Sequence, residues 1–412
     1  MVRPLAPSPS LENLKKQCKE LLRAQRRHDP SVCVVLRQLA RFRNASDARI
    51  LGAKLALHDA QHAVSMEYGF ANWRDLKAHV EASRRASPPD ASDDVQLLHD
   101  ALKRDGRVLA VDIGAGCVKV AEFGRCTTGE FRVTGVGVRG RDVGATSLQR
   151  ALEALSADGP PQPCRCLACL SPETAFIRFV RLPRDISQDQ LREEESRNAP
   201  FAPEETACAW HMLNSPGRKD AEFMFVAVRR ETLDRAVRAL RGAGLEPIAV
   251  ETAPTAGRNA ASAAGIGLTQ LELLLDIGAS SATLLFCAPD RFYVRRMPIR
   301  GSAMKEDVAA GIDRLTAEVL RSMQVFREHV KDEFPAALHL TGGGSILPGV
   351  GEGLSGQLQL PVQRLVPFAA MEVTSTVEEE PFDAVSHLFG NTAGLISRFI
   401  VDRPLAMNLL DS

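Results

Sequence analysis

One pattern occurs twice in this chain, and it limits the fold more than any other feature. Residues 109 to 123 read LAVDIGAGCVKVAEF and residues 273 to 286 read LLLDIGASSATLLF. Each is an apolar run, then Asp-Ile-Gly, small residues and a second apolar run. Short β-rich runs separated by glycines predict hairpins, and FRVTGVGV at residues 131 to 138 extends the first into an antiparallel meander. Helices alternate with strands from there to the end, so the expected class is α/β with an internally duplicated core.

A strand that ends in Asp-x-Gly and turns straight back suits a polyphosphate. Gly114 and Gly116 lack side chains, so backbone N–H groups can approach phosphates. Asp112 at the strand end is a candidate Mg²⁺ residue acting through water. Lys119 adds a nearby cation, although alternation along the strand can point it away. Asp276, Gly278, Ser280 and Ser281 offer the same chemistry from the second turn, and two such hairpins are expected to face each other across a cleft. A third element, LHLTGGGSILPGV at residues 338 to 350, runs from a strand into Gly342, Gly343, Gly344 and Ser345, where a flat base can lie against the backbone. Any one of these loops alone reads as a tight turn; three in this order point to a nucleotide cleft.

The series resembles the phosphate-one, phosphate-two and adenosine motifs of the actin, sugar-kinase and chaperone ATPase superfamily. In that superfamily a helix before the adenosine loop presents an acid and a base one turn apart. TAEVLRSMQVFREHV has Glu318 and Arg321 at that spacing, which a solvated helix face would also have. Within the superfamily, residues 108 to 400 resemble PilM-type proteins of type IV pilus assembly, related to FtsA. The resemblance is carried by the first hairpin, FVRLPRDISQDQLREEESRNAPFAPEE, FVAVRRETLDRAVRALRGAGLEPIAVETAP, the second hairpin, LRSMQVFREHV, LHLTGGGSILPGVGEGL and FGNTAGL. It implies a duplicated actin-like fold with an inserted small α+β subdomain, ATP and Mg²⁺ in the cleft, and a groove gripping the cytoplasmic tail of a PilN-type inner-membrane protein. Phe176, Ile177, Phe179, Phe201 and the strand from Phe223 to Val228 are candidates for that groove, with core packing as the alternative. Two departures matter. The first loop reads Ala115-Gly116-Cys117 where relatives usually have small hydroxyl residues, and Glu251 stands where they often have aspartate. Asp276 and Glu251 are the candidate bases for a slow hydrolysis, with binding expected to outweigh turnover.

The first module, residues 9 to 83, is read as all-helical. Leu11, Leu14, Cys18, Leu21 and Leu22 share one helical face behind a Ser10 cap; helical stretches follow at residues 31 to 40 and 58 to 68, and Asn72 caps a helix bearing Trp73, Leu76 and Val80. It resembles a short helical region found ahead of ankyrin-repeat domains, and its partner is unknown. Residues 84 to 106 read as a linker, 107 to 160 as the start of the first half, 161 to 225 as the insertion, and 226 to 400 as the remainder of the first half with the second half. Lys plus Arg and Asp plus Glu both total 51, which gives no reason to expect nucleic acid. No apolar run reaches the roughly 20 residues of a membrane span. The expected place is the cytoplasm, with recruitment to the inner membrane through the partner. Of nine cysteines, Cys164, Cys166 and Cys169 cluster, but their alternation reads as a strand rather than a zinc site. Rival readings of the same fold are a self-associating FtsA-like filament protein, a sugar kinase, and a relative of the type II secretion L protein.

Overall fold

The chain divides into two compact units, Met1–Ser87 and Pro88–Ser412. The computed structural model describes residues 11–70, 72–77, 91–125, 131–140, 146–153, 164–213, 219–330, 333–374 and 385–412.

In the first unit, helix Leu11–Arg26 buries Leu14, Cys18 and Leu22, four residues apart on one stripe. Helix Leu57–Glu67 meets it with Ala60, Ala63 and Val64. Gln25 Nε2 donates to the carbonyls of Leu51 and Ala53, both at 2.8 Å, and fastens the turn after the short helix Asp47–Leu51. The helix expected over residues 31 to 40 is instead a 3₁₀ turn, Pro30–Val32, and a four-residue helix, Cys33–Leu36. Three valines within four residues make that run a poor helix former. The Asn72 cap is present, its Oδ1 accepting from the Asp75 N–H at 2.9 Å. Ser10 and Val80 lie outside the described residues.

The second unit opens with a helix, Ala91–Asp105, within the stretch read as linker. Leu98, Ala101 and Leu102 are buried, and Leu98 and Leu102 join a core with Val108 and Phe123. Their i, i+3, i+4 spacing is the reason the segment packs rather than trails in solvent.

Two sheets repeat one plan. In the first, β1 (Arg107–Ile113) pairs antiparallel with β2 (Cys117–Arg125), β2 pairs antiparallel with β3 (Phe131–Gly140), and β1 pairs parallel with β4 (Cys164–Leu170). With β8 (Leu245–Thr252) and β14 (Glu372–Val373) the order is β14-β3-β2-β1-β4-β8. In the second, β9 (Glu272–Ile277) pairs antiparallel with β10 (Ala282–Cys287) and parallel with β12 (Leu338–Thr341), giving β11-β10-β9-β12-β13 with β11 Phe292–Met297 and β13 Val362–Arg364. The inner parallel strands β1, β4, β9 and β12 are buried along most of their length. The boundary expected at residue 161 puts β4 inside the insertion, but β4 pairs with β1 and belongs to the first sheet. Cys164, Cys166 and Cys169 are buried thiols on that strand, all with pKa pushed up by burial.

The insertion is a separate three-stranded antiparallel sheet, β5 (Ala175–Pro183), β7 (Asp220–Arg229) and β6 (Thr206–Leu213), in that order. Helix Gln188–Asn198 lies between β5 and β6 in sequence and starts at a Ser187/Gln190 capping box. Trp210 packs tilted against Phe225 at 4.5 Å between centroids and donates through Nε1 to Glu195 Oε1 at 3.1 Å, so helix and sheet are tied together. β5 is an edge strand.

Two short helices, Ala253–Ala263 and Gly390–Ser397, cross beneath the sheets. The crossing is so close that a Cβ on Gly394 would overlap the Ala256 carbonyl.

Candidate functional site

Both Asp-Ile-Gly turns sit at the ends of equivalent strands, and their backbones are built alike. A Cβ on Gly114 would lie 2.8 Å from the Cys117 carbonyl oxygen, and one on Gly278 would lie 2.9 Å from that of Ser281. Each glycine is therefore needed for a tight turn back into the next strand. The turns also touch each other, since a Cβ on Gly116 would come 2.5 Å from the Ala279 Cβ. The expected facing pair is present, and it is shut.

Asp112 ends β1 and is buried. Lys119 is its cross-strand partner in β2, so the two side chains project from the same face. Lys119 Nζ donates to Asp112 Oδ2 at 2.7 Å. Alternation thus turns the ammonium toward the carboxylate, and the missing side chain of Gly114 leaves it room, 3.1 Å from the place a Cβ would take. Asn391 Nδ2 donates to the same oxygen at 3.2 Å, and the Cys169 thiol approaches Oδ1 at 3.6 Å. Burial opposes the charge on Lys119, but Asp112 outweighs it and raises the lysine pKa.

Asp276 occupies the matching place at the end of β9. Burial pushes its carboxyl up to about 6; Lys119 opposes that rise and Asp112 adds to it. The adenosine-like loop closes over it. Gly342 has φ +83°, and a Cβ there would collide with Asp276 Oδ1; a Cβ on Gly344 would collide with Ile277 Cγ2. These two glycines are required by the packing of β12 on β9, whereas Gly343 has only Leu388 nearby, at 3.6 Å. The Ser345 hydroxyl turns back to the Gly342 carbonyl at 2.6 Å.

Ser280 and Ser281 are taken by a residue that sequence reasoning did not single out. Both hydroxyls donate to Glu173 Oε1, that of Ser281 at 2.5 Å, and the Ser171 hydroxyl donates to Oε2. Glu173 stands in the 3₁₀ turn Pro172–Thr174, just past the end of β4. β4 runs parallel to β1 with Leu170 opposite Ile113. Nothing in the surrounding Ser-Pro-Glu-Thr sequence marks it. Asn391 was also missed as a ligand of Asp112; it is a lone amide in the small-residue helix GNTAGLIS.

The remaining candidates lie elsewhere. Glu251 is buried at the end of β8, accepting from Arg398 Nη1 at 3.3 Å and from the Thr255 hydroxyl at 2.7 Å. Glu318 is held by Arg321 at 2.9 Å and by Arg295 of β11 at 3.6 Å, on the β11 side of its sheet. Phe223 and Phe225 on β7 are core residues. Phe179 packs on Phe292 and Tyr293, while Phe176, Ile177 and Phe201 stay partly exposed.

These contacts decide how well the site suits a metal-bound triphosphate. A pocket of about 10 Å³, room for about one water, lies between Asp276, Thr341 and the helices Ala253–Ala263 and Gly390–Ser397. The carboxylate that would meet Mg²⁺ holds an ammonium, and the hydroxyls that would meet phosphate hold a carboxylate. So arranged, with Lys119 on Asp112 and Glu173 on the two serines, the residues do not fit such a ligand. Among the described residues no group of three or more His, Cys, Asp or Glu side chains is placed to hold a metal ion, and no helix is long and apolar enough to cross a membrane.

No family model and no curated protein matches this sequence. Solved structures do. The PilM–PilN type IV pilus biogenesis complex aligns with a TM-score of 0.60 and 23% identity over 70% of this chain and 97% of that one. The ethanolamine utilization protein EutJ of Carboxydothermus hydrogenoformans aligns at 0.41 and 12%, covering 73% and 96%, and the cytoplasmic domain of EpsL of the Vibrio cholerae type II secretion system at 0.41 and 12%, covering 74% and 98%. The first likeness, with the repeated sheet plan above, shows the fold: this chain carries a duplicated actin-like ATPase fold similar to that of PilM.

Proposed function

We propose that this chain is an actin-like scaffold for type IV pilus assembly that holds the cytoplasmic tail of a PilN-type inner-membrane protein and is drawn to the inner face of that membrane by its partner. The observation that carries this reading is the insertion between β4 and β8. It presents an edge strand, β5, and the partly exposed rings of Phe176 and Phe201. An extended tail can add to such an edge through main-chain hydrogen bonds while side-chain pockets select it. The alignment over 97% of the chain from a PilM–PilN complex supports the same reading.

The cleft binds a nucleoside polyphosphate after opening, and binding rather than turnover is its use. Glu251 supports that choice, because both carboxylate oxygens are already engaged and a base must reach the proton it takes.

The test is fluorescence anisotropy with a labelled tail peptide from a PilN-type protein and the full chain. Phe201→Asp should weaken binding at least about tenfold, the usual loss when an aromatic anchor is removed. Phe334→Asp, at a ring that is 79% exposed and follows the helix Val308–Val330, should leave it unchanged. Equal affinity for all three proteins would place the tail elsewhere.

A further inference from the structure

Three hydroxyls from two halves of the fold converge on one carboxylate. Ser280 and Ser281 of the second turn donate to one oxygen of Glu173, and Ser171 at the end of β4 donates to the other. Ser171 and Glu173 follow β4 of the first sheet while the serines lie in the β9–β10 turn of the second, so this contact joins the two halves. The corner that carries Glu173 is stiff. The Thr174 hydroxyl donates to the Ser171 carbonyl at 2.7 Å, and the Thr174 N–H donates to the same oxygen at 3.1 Å. The next residue, Ala175, begins β5 of the inserted sheet.

A carboxylate receiving several hydroxyl hydrogen bonds at a glycine turn is, like a phosphoryl group, an anion that accepts through more than one oxygen. From this geometry we infer that Glu173 is an internal competitor for the phosphates of a nucleotide and couples occupancy of the cleft to the inserted sheet. While it bridges the halves, the hydroxyls of Ser280 and Ser281 are spoken for and the corner leading into β5 is pinned to the second half. A nucleotide that takes those hydroxyls releases the corner, and the edge strand moves with it. This inference rests on the proposed nucleotide and tail binding. It adds the residue that sets nucleotide affinity and the route by which the cleft reaches the tail.

The experiment uses the full chain. Calorimetric titrations with Mg–ATP and with adenosine are run on the wild type, Glu173→Ala and Glu173→Gln, and a thermal melt confirms that each is folded. Removing the competitor should tighten Mg–ATP binding at least about tenfold in Glu173→Ala, the effect of losing even one charge-assisted hydrogen bond that competes with the ligand. Glu173→Gln, which keeps the shape and loses the charge, should fall between, and it carries the test if the alanine variant does not fold. Adenosine, which has no phosphate, should bind all three alike. Peptide affinity should shift at least about threefold on adding Mg–ATP to the wild type and not at all in Glu173→Ala. Equal Mg–ATP affinity in all three proteins overturns the competitor role and leaves nucleotide binding standing. An equal gain for adenosine overturns it as well, because the effect is then general opening. No binding to any protein removes the nucleotide reading together with this one.

Discussion

The two Asp-Ile-Gly turns share a backbone and differ in chemistry. In the first, Asp112 is paired with Lys119 and receives an amide from Asn391. In the second, Asp276 has Thr283 rather than a lysine as its cross-strand partner, and its carboxyl is pushed up to about 6. The turn geometry is the same to within 0.1 Å at Gly114 and Gly278, 2.8 against 2.9 Å. Duplication has kept what the backbone needs while the side chains have gone separate ways: one turn is neutralised internally, and the other carries an acid that resists ionising.

The sharpest way to test this contrast is to remove the cation. Lys119→Met leaves Asp112 buried and without its ammonium, and should cost about 3 kcal/mol, since breaking one side of a buried pair strands a charge. Denaturant unfolding measures it. A loss below about 1 kcal/mol would mean that Asn391 and solvent suffice.

The second turn should respond in the opposite sense. Asp276→Asn removes an ionisation that folding disfavours, so the variant should be more stable near pH 7.5, by about 1–2 kcal/mol once solvent access is allowed for. The sign follows from the raised pKa: the contribution of Asp276 is fully present below its unfolded value near 4 and is lost as pH rises through about 6. Wild-type melting temperature should therefore fall across pH 4 to 6.5 relative to the asparagine variant, and parallel pH profiles would contradict the assignment.

Smaller effects probe the shared backbone. Gly114→Ala and Gly278→Ala should each cost about 1–2 kcal/mol, because in both a Cβ meets a carbonyl oxygen inside contact distance. Unequal costs would show that the turns are not equivalent. The smallest change belongs to Ser281→Ala, about 1 kcal/mol or less, since Ser280 and Ser171 still satisfy Glu173.

Much of this architecture was legible in the residues. The repeated motif foretold two sheets of one plan because glycines and apolar runs record backbone needs directly. The adenosine-like glycines were legible as a loop but not as to cause: Gly342 and Gly344 answer to Asp276 and Ile277, neighbours 66 and 67 residues away that only the pairing of β12 with β9 brings close. Glu173 stayed hidden for the same reason. Nothing local marks a glutamate in a Ser-Pro-Glu-Thr corner; its meaning comes from two serines in the other half. The helix at 91 to 105 was obscured by the polar composition before it, although Leu98, Ala101 and Leu102 carried the period.

The proposed role of this fold is to hold a membrane protein's tail, and its most direct test is calorimetric titration of a PilN-type tail peptide into the full chain, alone and with Mg–ATP. The account predicts one-to-one binding whose affinity shifts when nucleotide is added. No heat from the peptide under either condition would contradict it.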